Sequence, residues 1–451
     1  MARPGCSRLS CRPVKQRLLN ILFWSVISAA FIGPGTITVA ASAGAGFGYA
    51  LLWALVFSTL ACMVLQESAA RLSTVSGRNL GESLKLYLST TLVGRLTVYL
   101  VLAAILLGCA AYETGNILGA VAGVSLVFDL PPAPVTLAIG VSAFALFWFG
   151  STAQIARVMG CAVAFMGLCF VVTVLVIRPP LGELLTGALV PRIPRGAEML
   201  ILGLVGTTVV PYNLFLGSGL ANTQSLREMR WSLGIAIGLG GLISMAVLVV
   251  GASIMGTFTF EALAEELAAT LGPWAAGMLA IGLFGAGLTS AVTAPLAAAI
   301  TARSMLAADR ASAPWQDSGR YYRLTWMAVL FTGVGFSLVQ LAPIPAIILA
   351  QALNGVILPL VAVFLLIIMN NIRLLNATAI NSHRFNALMG LVVFSTIIIG
   401  ITNLARALTR LLGIGLADEN IIFFSSLAVS LAIAWPVVRL IQRLRLPASP
   451  A

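Results

Sequence analysis

Two short segments of this sequence place proline and hydroxyl side chains inside otherwise apolar stretches. The first reads Gly33-Pro34-Gly35-Thr36, and the second reads Thr207-Thr208-Val209-Val210-Pro211-Tyr212-Asn213. Proline removes a backbone donor and clashes with the preceding helical turn, and flanking glycines let the chain unwind. Backbone groups that a break leaves free inside a membrane are tolerated where they line a cavity or bind a ligand. Each segment therefore predicts a broken helix with polar backbone available for binding.

The chemistry at these breaks is that of neutral hydrogen-bonding groups. Residues 30–38 and 205–217 contain no Asp, Glu, His, Cys or Met. A divalent cation loses a large hydration energy, which carboxylates or suitable nitrogen and sulfur ligands must offset. The start of a half-helix instead offers free N–H groups and partial positive charge, which bind anions. The predicted substrate-binding residues are Gly33, Gly35, Thr36, Thr207, Thr208, Tyr212 and Asn213.

The composition shows which elements must hold these groups. The chain has 451 residues, of which 60% are hydrophobic and 9% are charged, whereas soluble proteins carry about 25% charged residues. A soluble fold is excluded, and a membrane span needs about 20 apolar residues. Twelve apolar segments are predicted as spans, at residues 20–43, 50–70, 94–122, 134–150, 157–177, 197–221, 233–257, 273–303, 324–341, 344–369, 386–404 and 420–440.

The distribution of basic residues predicts the topology. If the N-terminus lies in the cytoplasm, 21 of the 26 Lys and Arg residues fall on the inner side. The five on the outer side are Arg178, Arg192, Arg195, Arg406 and Arg410. Such a bias follows the positive-inside rule, so both termini are predicted to be cytoplasmic. The net charge of +12 therefore reflects topology and does not indicate a nucleic-acid partner. The short loops favour a bacterial inner membrane.

The two breaks fall at matching places in the chain. Pro34 and Pro211 each lie in the first span of one of two five-span halves. Interrupted helices at equivalent positions are typical of inverted-repeat transporters with a binding site at the membrane midplane. Two unrelated proline kinks are the alternative. A permanent channel is a further alternative, but paired broken helices favour alternating access.

Several motifs carry a resemblance to a known family. They are Gly33-Pro34-Gly35-Thr36, Ala43-Gly44-Ala45-Gly46-Phe47-Gly48-Tyr49, Leu51-Leu52-Trp53, Leu65-Gln66-Glu67-Ser68-Ala69-Ala70-Arg71-Leu72, Gly77-Arg78-Asn79-Leu80-Gly81-Glu82, Pro211-Tyr212-Asn213-Leu214-Phe215-Leu216 and, more weakly, Gln351 with Leu358-Pro359. With these motifs the chain resembles the NRAMP (natural resistance-associated macrophage protein) transporters. Members of that family typically carry divalent transition metals inward together with protons.

The resemblance implies an all-α integral membrane protein of the leucine-transporter-type fold. This fold has two inverted five-helix repeats, here followed by about two C-terminal helices, with helices 1 and 6 broken. The implied organisation is a basic cytoplasmic tail at 1–19, a first repeat at 20–180, a second repeat at 195–370, two additional spans at 385–441 and a cytoplasmic tail at 442–451.

At the site, the sequence departs from the family. The family's first break reads Asp-Pro-Gly-Asn and its second reads Met-Pro-His. Matching residues places Gly33 at the aspartate, Thr36 at the asparagine, Val210 at the methionine and Tyr212 at the histidine, while Gly217 replaces a second histidine. The metal-binding Asp, Asn and Met are therefore all missing, and no metal ligands are predicted.

The predicted function is a secondary active transporter that moves a small inorganic anion, with bicarbonate as the first guess, coupled to H⁺ or Na⁺. A proton-coupled divalent cation (Mn²⁺, Fe²⁺ or Mg²⁺) transporter with an atypical site is the alternative, and an amino-acid or organic-acid carrier is a further one. The sequence contains no HExxH, GxSxG or P-loop motif, so an enzyme is not expected. No cofactor is expected, and a monomer is compatible with the sequence.

One acidic residue lies deep in the predicted third span. Glu113 follows Tyr112 in a long apolar run, and an acid at mid-bilayer costs about 3 kcal/mol on insertion scales, which marks it as a functional candidate. The family has a proton-linked acid in this span, and either Glu113 or Tyr112 can be aligned with it. A structural hydrogen bond or ion pair is the alternative role for Glu113.

Further polar residues occur in other spans. Thr289, Ser290 and Thr293 in the eighth span, and Gln351 with Asn354 in the tenth, are polar stripes at helical spacing. They either line the transport pathway, for which Thr289, Gln351 and Asn354 are the predicted residues, or form hydrogen bonds between helices. Glu67 and Arg71 are four residues apart on one predicted helix face and can form an ion pair.

Overall fold

The computed structural model describes residues 32–149, 152–220, 225–308, 312–339, 342–375, 379–411 and 419–445, and the regular elements of these ranges are all helical. The predicted tail at 1–19 and the end of the predicted tail at 442–451 lie outside them. The α-helices are α1 Pro34–Phe47, α2 Leu52–Ser76, α3 Leu80–Leu88, α4 Leu92–Ser125, α5 Pro132–Phe149, α6 Thr152–Ile177, α7 Leu181–Leu189, α8 Glu198–Thr208, α9 Pro211–Leu220, α10 Leu226–Gly251, α11 Phe260–Leu271, α12 Trp274–Leu306, α13 Arg320–Leu338, α14 Pro343–Ile368, α15 His383–Leu411 and α16 Glu419–Leu444.

These helices occupy the positions of the predicted spans. When α8 and α9 are counted as one span, ten described spans are long and apolar enough to cross a membrane. The two remaining predicted spans correspond to α1 and α13. Only the second half of the first predicted span is described, as α1. Helix α13 is 19 residues long and begins with Arg-Tyr-Tyr-Arg, which makes it less apolar than the others.

The two halves of the chain repeat the same series of helix lengths. After the broken helix, the first half has spans of 25, 34, 18 and 26 residues. The second half has spans of 26, 33, 19 and 26 residues. A short helix separates the first and second of these spans in both halves, α3 in the first half and α11 in the second. This internal repeat is the architecture that the paired breaks predict.

Three short helices lie outside the predicted apolar segments. They are α3, α7 and α11, with 9, 9 and 12 residues. A search for continuous apolar runs misses such helices because polar residues occupy one face. The start of α3 is fixed by a capping box, in which Asn79 accepts from the Glu82 amide and the Glu82 carboxylate accepts from the Asn79 amide.

Both predicted breaks lie in the interior of the helix bundle. The second break is the non-helical pair Val209–Val210 between α8 and α9, and α1 begins at Pro34 after extended backbone at Gly33. The residues around both breaks are buried. Helices α4, α12 and α14 pack around them and supply the side chains of the candidate site.

Candidate functional site

The space beside Gly33 is bounded by three polar side chains. A methyl group on Gly33 would lie 3.4 Å from Ser290 Oγ, 3.5 Å from Tyr112 Oη and 4.0 Å from Asn116 Oδ1. Tyr112 and Asn116 lie one turn apart on α4, and Ser290 belongs to α12. The position that the resemblance aligns with the family's metal-binding aspartate therefore faces hydroxyl and amide groups. We call Tyr112, Asn116 and Ser290 the Gly33 shell.

The polar atoms of the Gly33 shell are buried without a partner among the described residues. By hydrogen-bond geometry this holds for Tyr112 Oη, Ser290 Oγ and both side-chain atoms of Asn116, although Thr207 and Tyr212 are polar neighbours of Tyr112, and Glu113 is one of Asn116. It also holds for the side-chain amides of Gln351 and Asn213, which are buried in the same region. Leaving a buried polar group unsatisfied costs about 1–3 kcal/mol. Groups in this state accept water or a polar ligand, so the region has the hydrogen-bonding capacity of a binding site.

Glycine contacts place Gln351 against the first break. A methyl group on Gly206 of α8 would lie 2.0 Å from the Gln351 carbonyl oxygen, so only glycine lets α14 approach α8 this closely. A methyl group on Gly35 would lie 2.1 Å from Gln351 Nε2. The side-chain amide of Gln351 therefore reaches the first turn of α1 because position 35 carries no side chain.

A hydroxyl pair joins the two breaks directly. Thr36 Oγ1 and Thr207 Oγ1 are 2.8 Å apart, and both residues are buried. The neighbouring hydroxyls serve their own helices, because Thr208 donates to the Leu204 carbonyl and Thr38 donates to the Pro34 carbonyl, each at 2.8 Å. Of these four threonines, Thr36 and Thr207 are the pair that connects α1 with α8.

The start of α9 brings two further predicted residues to the site. The rings of Tyr212 and Tyr112 meet edge to face, with centroids 5.3 Å apart. The Asn213 carbonyl accepts from Gln66 Nε2 at 3.1 Å, while its side-chain amide is buried without a partner. A methyl group on Gly217 would lie 2.4 Å from Gln66 Nε2. Gln66 of α2 therefore fills the space that a longer side chain at position 217 would need.

Tyr112 and Glu113 point in different directions from α4. Tyr112 faces Gly33, whereas the Cγ atom of Glu113 would lie 2.4 Å from a methyl group on Gly333 of α13. Successive helical residues are about 100° apart around the helix axis, so only one of them can face the break. Both carboxylate oxygens of Glu113 are buried without a hydrogen bond of good geometry among the described residues, and Asn116 is the polar side chain beside them. This acid thus lies at the α4–α13 interface, outside the Gly33 shell.

The structure places the remaining predicted pathway residues around the site. Thr289 donates to the Gly285 carbonyl of its own helix at 2.9 Å, and it is the adjacent Ser290 that faces Gly33. Asn354 donates weakly to the Ala350 carbonyl at 3.3 Å and faces α4 at Gly108. Asn116 was not among the predicted site residues. Its spacing of four from Tyr112 was the available signal, because that spacing places both on one helix face.

An ion-pair network begins next to Gln66 and extends towards the C-terminal end of α2. Arg71 Nε and Glu67 Oε1 are 3.1 Å apart, which confirms the predicted ion pair, and Arg230 also pairs with Glu67, at 2.8 Å. Arg71 further donates to the Ala379 carbonyl at 2.7 Å and to Asn381 Oδ1 at 2.5 Å. This network ties α2 to α10 and to the segment before α15.

The site carries little charge. The first turns of α1 and α9 contain no acidic residue. Across the described ranges, no three His, Cys, Asp or Glu side chains are grouped so that they could hold a metal ion. The polar groups at the breaks are neutral donors and acceptors, together with the N-terminal ends of α1 and α9 and the C-terminal end of α8.

Comparison with known proteins identifies the class and the family. Paired broken helices in two repeats, with buried polar groups between them, define an inverted-repeat membrane transporter. A family model described as natural resistance-associated macrophage protein-like matches residues 25–406. The chain belongs to the NRAMP family of transporters.

Curated relatives and solved structures agree with this assignment. The divalent metal cation transporter MntH of Yersinia pestis (strain Pestoides F) is 26% identical over 388 residues, covering 82% of this chain and 90% of the relative. MntH of Klebsiella pneumoniae (strain 342) is 27% identical over 316 residues, covering 66% and 75%.

Two solved structures show the fold. The Eremococcus coleocola manganese transporter, in complex with an aromatic bis-isothiourea substituted compound, superposes with a TM-score of 0.71 at 17% identity, covering 98% of this chain and 96% of that one. The nucleobase-cation-symport-1 family transporter Mhp1, closed with bromovinylhydantoin bound, gives 0.53 at 15% identity, covering 93% and 92%. The fold is the predicted leucine-transporter type.

Proposed function

We propose that this NRAMP-family transporter moves a small inorganic anion, with bicarbonate as the first probe, by secondary active transport coupled to H⁺ or Na⁺. The observation that carries the proposal is the Gly33 shell. Where the family's pattern has an aspartate, this chain has a glycine surrounded by unpartnered hydroxyl and amide groups. The protein acts in a membrane, which we propose to be a bacterial inner membrane with both termini in the cytoplasm.

The shell suits an anion better than a dehydrated divalent cation. Neutral hydroxyls and amides return little of the hydration energy that Mn²⁺ or Mg²⁺ loses, because those ions require carboxylates, imidazoles, thioethers or retained water. The nearest buried acid on α4, Glu113, faces α13 instead of the break. The N-terminal ends of α1 and α9 add partial positive charge at mid-membrane.

Bicarbonate matches the hydrogen-bonding character of the shell. It has oxygens that accept hydrogen bonds and one hydroxyl that donates. Tyrosine, serine, asparagine and glutamine side chains each donate and accept, so Tyr112, Ser290, Asn116 and Gln351 can satisfy both parts of this anion. A purely accepting anion would leave some of their acceptor oxygens unsatisfied.

A divalent metal cation is the second candidate substrate. The curated relatives are named divalent metal cation transporters, and this favours a metal. The C-terminal carbonyls of α8 also reach the second break, since α8 ends at Thr208, and helix C-termini favour cations. On this view the metal would keep most of its hydration water and bind to carbonyl and amide oxygens.

We further propose that Glu113 carries the coupling proton. It is a fully buried carboxyl at the interface of α4 and α13, one residue from Tyr112 of the shell. An acid inside the membrane that has no ion-pair partner is a candidate proton carrier. Its side chain faces α13 while Tyr112 faces Gly33, which would let substrate and proton occupy different places on the same helix.

Uptake into proteoliposomes tests the substrate. The full chain is reconstituted, and uptake of labelled bicarbonate, Mn²⁺ and Mg²⁺ is measured with internal pH followed, with amino acids and organic acids as competitors. We expect saturable bicarbonate uptake and no saturable Mn²⁺ uptake. Saturable Mn²⁺ uptake without bicarbonate uptake would establish the second candidate instead.

A matched pair of variants locates the site. Tyr112→Phe removes one unpartnered hydroxyl of the Gly33 shell, whereas Tyr99→Phe removes the hydroxyl of an exposed tyrosine on the same helix. Hydrogen bonds to a charged group contribute about 1.5–3 kcal/mol, so Tyr112→Phe should lower bicarbonate uptake at limiting concentration by about tenfold or more. Equal uptake by the two variants would move the binding site away from Gly33.

A further inference from the structure

An apolar groove runs along the outer face of the helix bundle between α4 and α13. Its volume is about 730 Å³, and its walls include Leu107 and Ala110 of α4 and Leu324, Ala328 and Thr332 of α13, with Trp315 at one end. Leu107 and Leu324 are each more than half exposed. Since these helices span a membrane, the groove opens towards lipid.

The length of the groove matches one leaflet of a bilayer. Its α13 wall runs from Tyr321 to Thr332, and a helix rises 1.5 Å per residue, so this wall is about 16 Å long. The hydrocarbon core of a bilayer is about 30 Å thick. The groove therefore extends from one membrane surface to about the midplane, which is the reach of a single acyl chain.

Aromatic and basic side chains mark the surface end of the groove. Trp315 and Tyr321 lie with ring centroids 5.5 Å apart, and such rings concentrate at the level of lipid headgroups. Arg320 is exposed, and its guanidinium lies 4.9 Å from the centre of the Tyr321 ring. The neighbouring acid Asp317 pairs with Arg303 at 2.7 Å, and no described carboxylate pairs with Arg320. The groove thus ends at a positive charge that has no ion-pair partner among the described residues.

We propose that this groove binds an anionic phospholipid, with one acyl chain between α4 and α13 and the phosphate at Arg320. The proposal rests on the apolar walls, the leaflet length and the charge at the surface end, and it is independent of the transported substrate. A second copy of the chain is a poorer occupant, because it would have to bring an acidic group to Arg320 and an apolar ridge about one acyl chain wide.

Native mass spectrometry of the full chain tests the proposal. Detergent-solubilised protein is titrated with phosphatidylglycerol or with phosphatidylcholine of the same acyl chains, and bound lipids are counted. The wild-type protein should retain one phosphatidylglycerol in preference to phosphatidylcholine. A basic residue near an anionic lipid surface contributes about 1 kcal/mol, so Arg320→Gln should reduce phosphatidylglycerol retention by about fivefold and remove the preference.

Two control variants keep the test specific. Arg439→Gln removes an arginine of α16 that also stacks on an aromatic ring, and it should retain lipid as the wild type does. Ala328→Trp fills the groove and should abolish retention of both lipids, whereas Ala432→Trp enlarges an exposed alanine on α16 and should have no effect. Melting temperatures confirm that each variant is folded.

Three results would overturn the proposal. The first is equal retention of the two lipids by the wild type, and the second is full retention by Ala328→Trp. The third is a dimer of the wild type that Ala328→Trp dissociates, because this would assign the groove to a second copy of the chain.

Discussion

Placing a carboxylate at position 33 reverses the charge preference that we propose for the site. Gly33 has φ −89° and ψ 174°, a conformation open to any L-residue. A methyl group there would be in ordinary contact with Ser290 and Tyr112, at 3.4 and 3.5 Å. Gly33→Asp should therefore fold, with its carboxylate hydrogen-bonded by the shell.

The size of the effect follows from the distances in the shell. An anion bound by Tyr112 and Ser290 would lie about 4 Å from the new carboxylate, and two unit charges at that distance repel by about 4 kcal/mol at an effective dielectric constant of 20. Each 1.4 kcal/mol is a factor of ten in affinity, so the loss is about a thousandfold. Gly33→Asn has nearly the same size without the charge, and it isolates the electrostatic part.

Bicarbonate uptake into proteoliposomes is the assay. Uptake by Gly33→Asp should be undetectable under conditions where Gly33→Asn transports measurably, and size-exclusion profiles and melting temperatures should show that both variants are folded. If the two variants take up bicarbonate at rates within about threefold of each other, the substrate does not bind beside Gly33. The anion hypothesis for this site would then have to be given up.

Three further changes probe the breaks and the coupling. Thr36→Ala removes the hydrogen bond that joins the two breaks and should lower bicarbonate uptake about fivefold. Thr38→Ala removes a hydroxyl that bonds only within its own helix and should have little effect. Equal uptake by the two variants would show that the hydrogen bond between the breaks is not needed for transport. Glu113→Gln should abolish uptake driven by a pH gradient while sparing bicarbonate exchange, and an intact response to the gradient would remove Glu113 from coupling. Gly35→Ala places a methyl group 2.1 Å from the side-chain amide of Gln351 on α14. It should reduce uptake severalfold relative to Gly46→Ala, whose methyl group meets nothing within 4 Å. Matching rates would show that the Gln351 amide does not bind substrate.

The membrane fold could be predicted from the sequence because its causes are local. Long apolar runs leave the bilayer as the only solvent, and proline with glycine inside such a run breaks a helix. The break between Thr208 and Pro211 is present as predicted, and α1 begins at Pro34. The short helices α3, α7 and α11 were missed, because one polar face removes them from any search for continuous apolar segments.

The candidate site could be predicted only in part. The absence of charged ligands at both breaks is a property of the residue types, and the sequence alone establishes it. Which neighbouring polar residue reaches the breaks is not local. Tyr112 rather than Glu113, and Ser290 rather than Thr289, lies beside Gly33.

The sequence by itself determined that this chain spans a membrane, where its helices break and that the breaks offer neutral groups. Only the tertiary structure decided which of those groups meet. A helix turns by about 100° at each residue, so a pair of neighbours points in two directions. Which residue of each pair faces the site depends on how α4, α12 and α14 are rotated about their own axes. That rotation is set by contacts such as Gly206 against the backbone of Gln351, between residues far apart in the chain.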